Sequence, residues 1–502
     1  MSIFFLQHYI EREVPNFDTF QFISDANYYK QLKFPELIQA LPVNPILIAL
    51  MTPFFSTEFP ELRAAVLICS LSVVLTLFLS FFYLRQKISK PVLLIIFLIM
   101  ASNGLLFRAA LNSDSIPLLI LVLIITLILY QKKFKYLYLF VASSILVRYE
   151  ALAIFTALTF TDLFAYFSWQ KNKLSLKKIK PMFMNKSFKI WLYSVLVILA
   201  WFIFVYFHNT SFGYPGNYYV YEIFDRSAQI PIWKFFTRVG NVFLNLDWFW
   251  GKYERSPANS MINLLLFFSS IVSLKTAYVK KNKSILFLFI FSVLYLLIHV
   301  FFPADDNRYL FPVLIPLLII VAVCFDQLFL SIKNSFLKNV LYLFLISTAL
   351  LFSYDSNRNN LLAMPFVNSY NLEIKKPVLW FNEQDFTQEQ NVIQYGGTVY
   401  FDNNDQVNYL WPNPECQSIR CILDKNCIKQ DVWVVESYFS QEPNPFSIKE
   451  LGVLIFNNQL EEQCLEEKAY FDIFKNDFDH VWSAIYLYDY EKCQLIDLGD
   501  SY

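Results

Sequence analysis

Long apolar runs separated by short polar stretches dominate the first 353 residues. An apolar run of about 17 to 25 residues crosses a bilayer as a helix, and ten runs approach or reach that length. They are residues 62–84, 91–107, 115–130, 137–147, 151–167, 190–207, 260–279, 284–302, 309–330 and 337–353. The pattern predicts an α-helical polytopic membrane protein with about ten transmembrane helices in residues 62–353.

The fourth and fifth runs are short and could form one long helix, but Arg148, Tyr149 and Glu150 interrupt them. Because charges inside a membrane are costly, we expect the chain to break and reach the surface there. Residues 1–61 precede the first run, and the apolar stretch that ends at Phe55 suits a helix lying in the membrane interface.

After residue 353 the pattern changes to short β-branched and aromatic runs, such as 398–401, 432–435 and 484–488. Turn-forming residues separate several of them, so residues 354–502 are predicted to form a soluble mixed α/β or β-rich domain. Five of the seven cysteines lie there: Cys416, Cys421, Cys427, Cys464 and Cys493. Disulfides with one thiol left over are favoured, because the spacing fits no common zinc site.

Composition and charge assign sides to these segments. Only 16% of the residues are charged, and the net charge of zero combines −14 for residues 355–502 with +14 for the rest. Basic residues without acidic ones fill the connections at 85–90, 131–135, 171–189, 280–283 and 333–338. By the positive-inside rule these connections are cytoplasmic, and the alternate ones and the soluble domain face outward. We expect a bacterial inner membrane with the soluble domain in the periplasm.

An even number of spans leaves both termini outside, so residues 1–61 must be carried across. We expect a transmembrane helix before Met1. The alternatives are translocation without a signal and a re-entrant segment at 42–55. Residues 1–61 are then the first extracytoplasmic loop, and a second, at 208–257, is rich in Tyr and Trp. Those rings are interfacial anchors or a surface for stacking on sugars.

Three short motifs lie in the predicted outward connections: Ser24 to Tyr29, Val43 to Ile46, and Asp305 to Pro312. They resemble the first-loop Asp motif, the proline-containing helix start and the Arg-Tyr-x-x-Pro entry to a late helix in the GT-C superfamily. That superfamily comprises membrane glycosyltransferases, among them aminoarabinose transferases and protein O-mannosyltransferases. The chain has Asn44-Pro45 where the family often has two prolines, and Asp25-Ala26 where it often has Asp-Glu.

The resemblance implies transfer of a sugar from a polyprenyl-phosphate-linked donor to a hydroxyl of a glycan, lipid or protein, without a cofactor. It implies Asp25 as general base, with Asp18 as the next choice. Implied substrate-binding residues are Arg308, Tyr309, Arg108, Asp114, Arg148 and Glu150. The alternatives are a solvated carboxylate for Asp25, an interfacial anchor for Arg308 and a mutual salt bridge for Arg148 and Glu150. A divalent cation at Asp305 and Asp306 is not favoured.

Two other functions fit parts of the pattern. A secondary transporter shares the number of spans, but transporters often carry internal repeats and Gly or Pro breaks in paired helices. The chain has only 9 glycines, and we find no repeat. A lipid-linked glycan polymerase or ligase shares the outward face and the donor, but such enzymes usually place catalytic residues in a large late loop.

Overall fold

The described chain is mostly helical, and its helices follow the apolar runs of the sequence. A computed structural model describes residues 17–35, 38, 41–56, 60–101, 115–165, 186–212, 282–300, 311–351, 353, 354, 380, 390–395, 407–410, 419, 423, 424, 428–441, 464–475 and 479–493. The helices are α1 (Phe17–Lys30), α2 (Val43–Met51), α3 (Pro60–Arg85), α4 (Lys90–Ala101), α5 (Ile116–Gln131), α6 (Leu137–Ser143), α7 (Ala151–Phe164), α8 (Lys186–Ser211), α9 (Lys283–Val300), α10 (Phe311–Ser331) and α11 (Ser335–Leu351).

Three of these helices are long and apolar enough to cross a membrane by length and composition. They cover Pro60–Arg85, Phe188–Ser211 and Pro312–Ser331. The other helices that overlap predicted spans are shorter, and the predicted span 260–279 lies outside the described residues. The polytopic helical architecture is therefore present, while the number of ten transmembrane helices stays a prediction.

The charges at 148–150 do break the apolar pattern. Helix α6 tightens into a 3-10 turn over Ser144–Leu146, and α7 begins at Ala151. The break lies between two apolar helices that are each too short to span a membrane alone. This agrees with the prediction that two helices, rather than one, occupy residues 137–167.

The core of the helical part is apolar and is formed mainly by α3, α4, α5, α7, α9 and α10. The largest side chains at its centre lie on α9, where Phe287, Phe291 and Tyr295 are fully buried. Helix α8 differs, because Leu196, Leu199 and other apolar side chains along it are exposed. An exposed apolar helix of this length suits contact with lipid.

Polar contacts join helix ends that the charge pattern assigned to the cytoplasmic side. The Gln131 side-chain amide donates to the Tyr83 hydroxyl at 3.0 Å and to the Ser284 hydroxyl at 3.3 Å. The Ser89 backbone N–H donates to the Asp326 carboxylate at 2.9 Å, next to the start of α4. Ends assigned to the same side thus lie together in the bundle.

The C-terminal sheet has five strands: β1 (Gln390–Tyr395), β2 (Val407–Leu410), β3 (Val432–Gln441), β4 (Leu465–Lys475) and β5 (Asp479–Tyr488). Their order is β2-β1-β3-β5-β4, with β1 parallel to β2 and β3, and β5 antiparallel to β3 and β4. Two of the predicted runs, 432–435 and 484–488, begin β3 and end β5. A mixed sheet of this kind fits the predicted domain, whose described helical part is small.

A disulfide closes one end of the antiparallel pair in this sheet. It joins Cys464, just before β4, to Cys493, in a helical turn after β5. Both cysteines are buried beside Val432, Val434 and Tyr488 in the core of the sheet. The predicted disulfide chemistry is present for this pair, and Cys416, Cys421 and Cys427 lie outside the described residues.

Candidate active site

The predicted base Asp25 lies in α1, a helix that packs on α2 and on the start of α3. Small and apolar side chains make this packing possible: Ala26 on α1 meets Ile48 on α2 and Ala64 on α3 in one buried cluster. Asp25 precedes Ala26 and is itself only 5% exposed. The alternative of a solvated loop carboxylate is therefore wrong, because water does not reach this side chain freely.

The Asp25 carboxylate is not fully hydrogen-bonded by the described residues. Its Oδ2 atom is buried and has no hydrogen-bond partner among them. Burial raises the pKa of the Asp25 carboxyl well above its usual value, since removal from water penalises the charged form. A carboxyl of this kind holds a proton more readily than a solvated one, which suits proton acceptance from a substrate hydroxyl.

Two further polar groups near the start of the chain share this property. The Tyr29 hydroxyl, one turn after Asp25, and the Asn44 side-chain nitrogen, in the first turn of α2, are buried without a partner among the described residues. Burial, and then the charge of Asp25, raises the pKa of the Tyr29 phenol. Each unpaired buried group costs about 1–3 kcal/mol, so a bound ligand that pairs with it would recover free energy.

An ion pair ties α1 to α3 beside these groups. The Lys30 ammonium donates to the Glu61 carboxylate and, at 3.2 Å, to the Asn27 side-chain oxygen. Glu61 is 4% exposed, and its Oε2 atom has no partner among the described residues. Sequence reasoning missed this pair. The available signal was an acidic residue in the first turn of the first long apolar helix.

The connection between α1 and α2 is held by the far end of α8. The Ile38 N–H donates to the Asn209 side-chain oxygen at 2.9 Å, and the Asn209 amide donates to the Ile38 carbonyl at 3.4 Å. The His208 Nε2 lies 2.7 Å from the Pro35 carbonyl oxygen. These contacts join the first connection to the end of α8, two regions that the charge pattern both assigned to the outward side.

Arg148 and Glu150 form a buried ion pair at the break between α6 and α7. Two guanidinium nitrogens of Arg148 contact the Glu150 carboxylate at 2.7–3.1 Å, and a third donates to the Ser115 hydroxyl at 2.8 Å. The Tyr149 ring stacks on Phe202 of α8, with 5.4 Å between ring centroids. The structure therefore contains the predicted mutual salt bridge, while substrate contact by either residue stays a prediction.

The other predicted site residues are only partly described. Asp18 lies in α1, two turns before Asp25, and its side chain is outside the described residues. Arg108, Asp114, Arg308 and Tyr309 also lie outside them, as do Asp305 and Asp306. Within the described part of the chain, no group of three or more His, Cys, Asp or Glu side chains is placed to hold a metal ion.

The fold of the chain is similar to that of a protein of known structure. The chain is similar to ArnT, an aminoarabinose transferase, from Cupriavidus metallidurans in two solved structures. The apo structure gives a TM-score of 0.54 at 11% identity, covering 96% of each chain. The structure bound to undecaprenyl phosphate gives 0.52 at 12% identity, covering 96% of this chain and 97% of ArnT.

Comparison of the sequence alone does not detect this similarity. No family model matches the chain, and no curated protein is significantly similar to it. The fold resemblance predicted from the short motifs is confirmed by the structures, over nearly the whole of both chains.

Proposed function

We propose that this protein is a membrane glycosyltransferase that takes a sugar from a polyprenyl-phosphate-linked donor. Its fold is that of ArnT, which has been solved with undecaprenyl phosphate bound. The reaction takes place on the extracytoplasmic face, where residues 1–61 and the soluble domain lie in the predicted topology. The acceptor is a hydroxyl of a glycan, a lipid or a protein in the cell envelope.

Asp25 carries the proposal, because its buried carboxylate has a raised pKa and an oxygen without a partner among the described residues. In the reaction the acceptor hydroxyl gives its proton to this carboxylate while its oxygen attacks the anomeric carbon. The bond from that carbon to the phosphate oxygen breaks, and the polyprenyl phosphate leaves with the bonding electrons. A single displacement of this kind inverts the anomeric configuration.

The leaving phosphate gains negative charge and needs a cation or hydrogen-bond donors nearby. Arg308, with Tyr309 beside it, and Arg108 are the candidates from the sequence, and Asp114 is a candidate contact to the sugar. Among the described residues, Lys30 offers a cation on the same helix as Asp25. The unpaired Tyr29 hydroxyl and Asn44 amide are available to sugar hydroxyls, which both donate and accept hydrogen bonds.

The test compares lipid-linked and surface glycans by mass spectrometry in a deletion strain carrying wild type, Asp25→Asn or Asp18→Asn at equal protein levels. We expect wild type and Asp18→Asn to restore a sugar that Asp25→Asn does not. Restoration by Asp25→Asn would remove Asp25 as the base and move Asp18 into that role. If deletion changes no glycan, the glycosyltransferase proposal fails and transport becomes the leading alternative.

A lipid-linked glycan polymerase or ligase would use the same class of donor. The same profile separates it from a single-sugar transferase. Loss of one sugar residue supports transfer of a single sugar, while loss of long glycan chains with accumulation of one repeat supports polymerisation or ligation.

A further inference from the structure

The end of α8 and the connection between α1 and α2 form a junction whose partners are 171 residues apart in the sequence. Asn209 is the centre of this junction and is fully buried. Its side-chain amide both accepts from the Ile38 N–H and donates to the Ile38 carbonyl. One side chain thus satisfies both backbone groups of a buried residue, which would otherwise be costly to leave unpaired.

Aromatic rings extend the junction toward α1. The Phe34 ring makes edge contacts with Tyr29 at 5.8 Å, with Phe204 at 5.4 Å and with His208 at 6.1 Å between centroids. Tyr29 lies one turn from Asp25 on the same helix. The Phe34 ring therefore connects the end of α8 to Tyr29, which lies one turn from the proposed base.

The same junction also fixes the entry to α2. Ile38 and Leu41 are buried, and the chain then enters α2 at Val43, next to Asn44, whose side-chain nitrogen has no partner among the described residues. Ile38 is consequently held by α8 at a point of the chain between the two helices that carry the proposed site. A shift of Ile38 would move Asp25 and Asn44 relative to each other.

We propose that Asn209 is a positioning residue, whose two hydrogen bonds to Ile38 hold the first connection in the geometry that transfer requires. The proposal rests on the proposed function, and Asn209 does not itself contact the reacting groups. Asn209-Thr210-Ser211 matches a glycosylation sequon, but in this proposal Asn209 serves to position Ile38. An amide buried against Ile38 is not available to receive a glycan.

Asn209→Asp tests the hydrogen bond that Asn209 donates, because a carboxylate keeps the accepting oxygen and loses the donor. A protonated aspartic acid has the shape of asparagine and both accepts and donates, whereas the carboxylate only accepts and repels the Ile38 carbonyl. We expect transfer relative to wild type to fall about 10-fold to 100-fold at pH 8, because small displacements of catalytic groups are costly. The ratio should recover toward one as the pH falls to about 5, because burial at this position raises the pKa of the new carboxyl above its usual value and allows it to become protonated.

The assay uses purified full-length protein added to membranes of the deletion strain, which retain both the donor and the acceptor. Rates are expressed as the ratio of variant to wild type at each pH, so that the pH dependence common to both proteins cancels. Hydrogen exchange of the peptide containing Ile38 is followed in the same samples. Protection should fall in Asn209→Asp at pH 8, because repulsion between the carboxylate and the Ile38 carbonyl displaces the Ile38 backbone, and it should return at low pH.

Asn334→Asp is the matched control. The Asn334 side chain only accepts, from the Phe336 and Leu337 backbone N–H groups at 3.0 and 3.2 Å, and a carboxylate does the same. Its ratio should stay near one at every pH. A flat ratio for Asn209→Asp, or a loss that does not recover at low pH, would overturn the positioning role. Absence of transfer by wild type would instead overturn the proposed function, and this proposal with it.

Discussion

Two buried polar groups in the helical part differ in how well the protein satisfies them. Arg148, Glu150 and Ser115 are hydrogen-bonded to one another, because the guanidinium donates to the Glu150 carboxylate and to the Ser115 hydroxyl. The Asp25 Oδ2 atom and the Tyr29 hydroxyl oxygen are also buried, but neither has a partner among the described residues. Both groups carry residues that the sequence predicted as site residues.

The difference separates support of the fold from availability to a ligand. Buried polar groups in native proteins are almost always paired, and an unpaired one costs stability unless something else binds it. Hydrogen bonds to Glu150 and Ser115 offset the cost of burying the Arg148 guanidinium. Among the described residues the Asp25 Oδ2 atom and the Tyr29 hydroxyl have no partner, which is the state expected of a site that completes its hydrogen bonds with substrate. Four substitutions test the comparison.

Asp25→Asn should have the largest effect. We expect transfer to fall about 10²-fold to 10⁴-fold, the usual contribution of a general base. The folded protein should become more stable at neutral pH. The pKa of Asp25 is raised by burial, so the unfolded chain loses this proton first and stability falls as the pH rises above about 4. Asparagine removes that loss.

Thermal unfolding of both proteins between pH 4 and pH 8 measures the second effect. The melting temperature of Asp25→Asn should exceed that of wild type at pH 8, and the gap should close toward pH 4. A variant that is less stable than wild type at pH 8 would mean that the Asp25 carboxylate is paired in the protein, contrary to the comparison.

Arg148→Met should have the opposite effect on stability and destabilise the protein. It leaves Glu150, with 11% of its side chain exposed, without its cation, and losing one partner of a buried pair costs about 3–5 kcal/mol of folding free energy. The double variant Arg148→Met, Glu150→Gln should recover most of that stability. If the double variant recovers stability but transfers no sugar, one of the two residues contacts substrate, as the sequence predicted.

Tyr29→Phe should make the protein more stable and less active. Because this buried hydroxyl has no partner in the described part of the chain, its removal should raise the free energy of unfolding by about 1–2 kcal/mol. Transfer should fall about 10-fold, if that hydroxyl pairs with substrate. Thermal unfolding and the transfer assay on one preparation measure both. A destabilised variant would show that the hydroxyl is paired within the protein.

Ser115→Ala should have the smallest effect and the opposite sign. It removes one hydrogen bond to the Arg148 guanidinium and should cost about 1–2 kcal/mol of stability, with transfer per folded molecule unchanged. The comparison with Tyr29→Phe is direct, since each variant loses one hydroxyl. If the two variants move stability in the same direction, the distinction between the two groups is not valid.

Local patterns in the sequence predicted the helical architecture and the candidate base. Apolar runs located most of the helices, and Arg148 and Glu150 located the break before α7, because hydropathy and charge act over short stretches. The Asp25 motif was readable for the same reason. The burial of Asp25 could not be predicted from the sequence, since it depends on the packing of α1 against α2 and α3.

Contacts between distant segments were not predictable from one sequence. Lys30 contacts Glu61 and Ile38 contacts Asn209 only after the bundle has assembled, and the position of Glu61 in the first turn of α3 does not by itself identify Lys30 as its partner. The disulfide between Cys464 and Cys493 is similar. Five cysteines in one domain permit many pairings, and only the antiparallel packing of β4 and β5 selects this one.

The most direct test follows polyprenyl phosphate by mass spectrometry. Membranes of the deletion strain supply the donor and the acceptor, and purified wild type or Asp25→Asn protein is added. We expect wild type to consume a polyprenyl-phosphate-linked sugar and to release an equal amount of polyprenyl phosphate, while Asp25→Asn releases almost none. Equal release by both proteins would contradict the role of Asp25 as base, and no release by wild type would contradict the proposed glycosyltransferase activity.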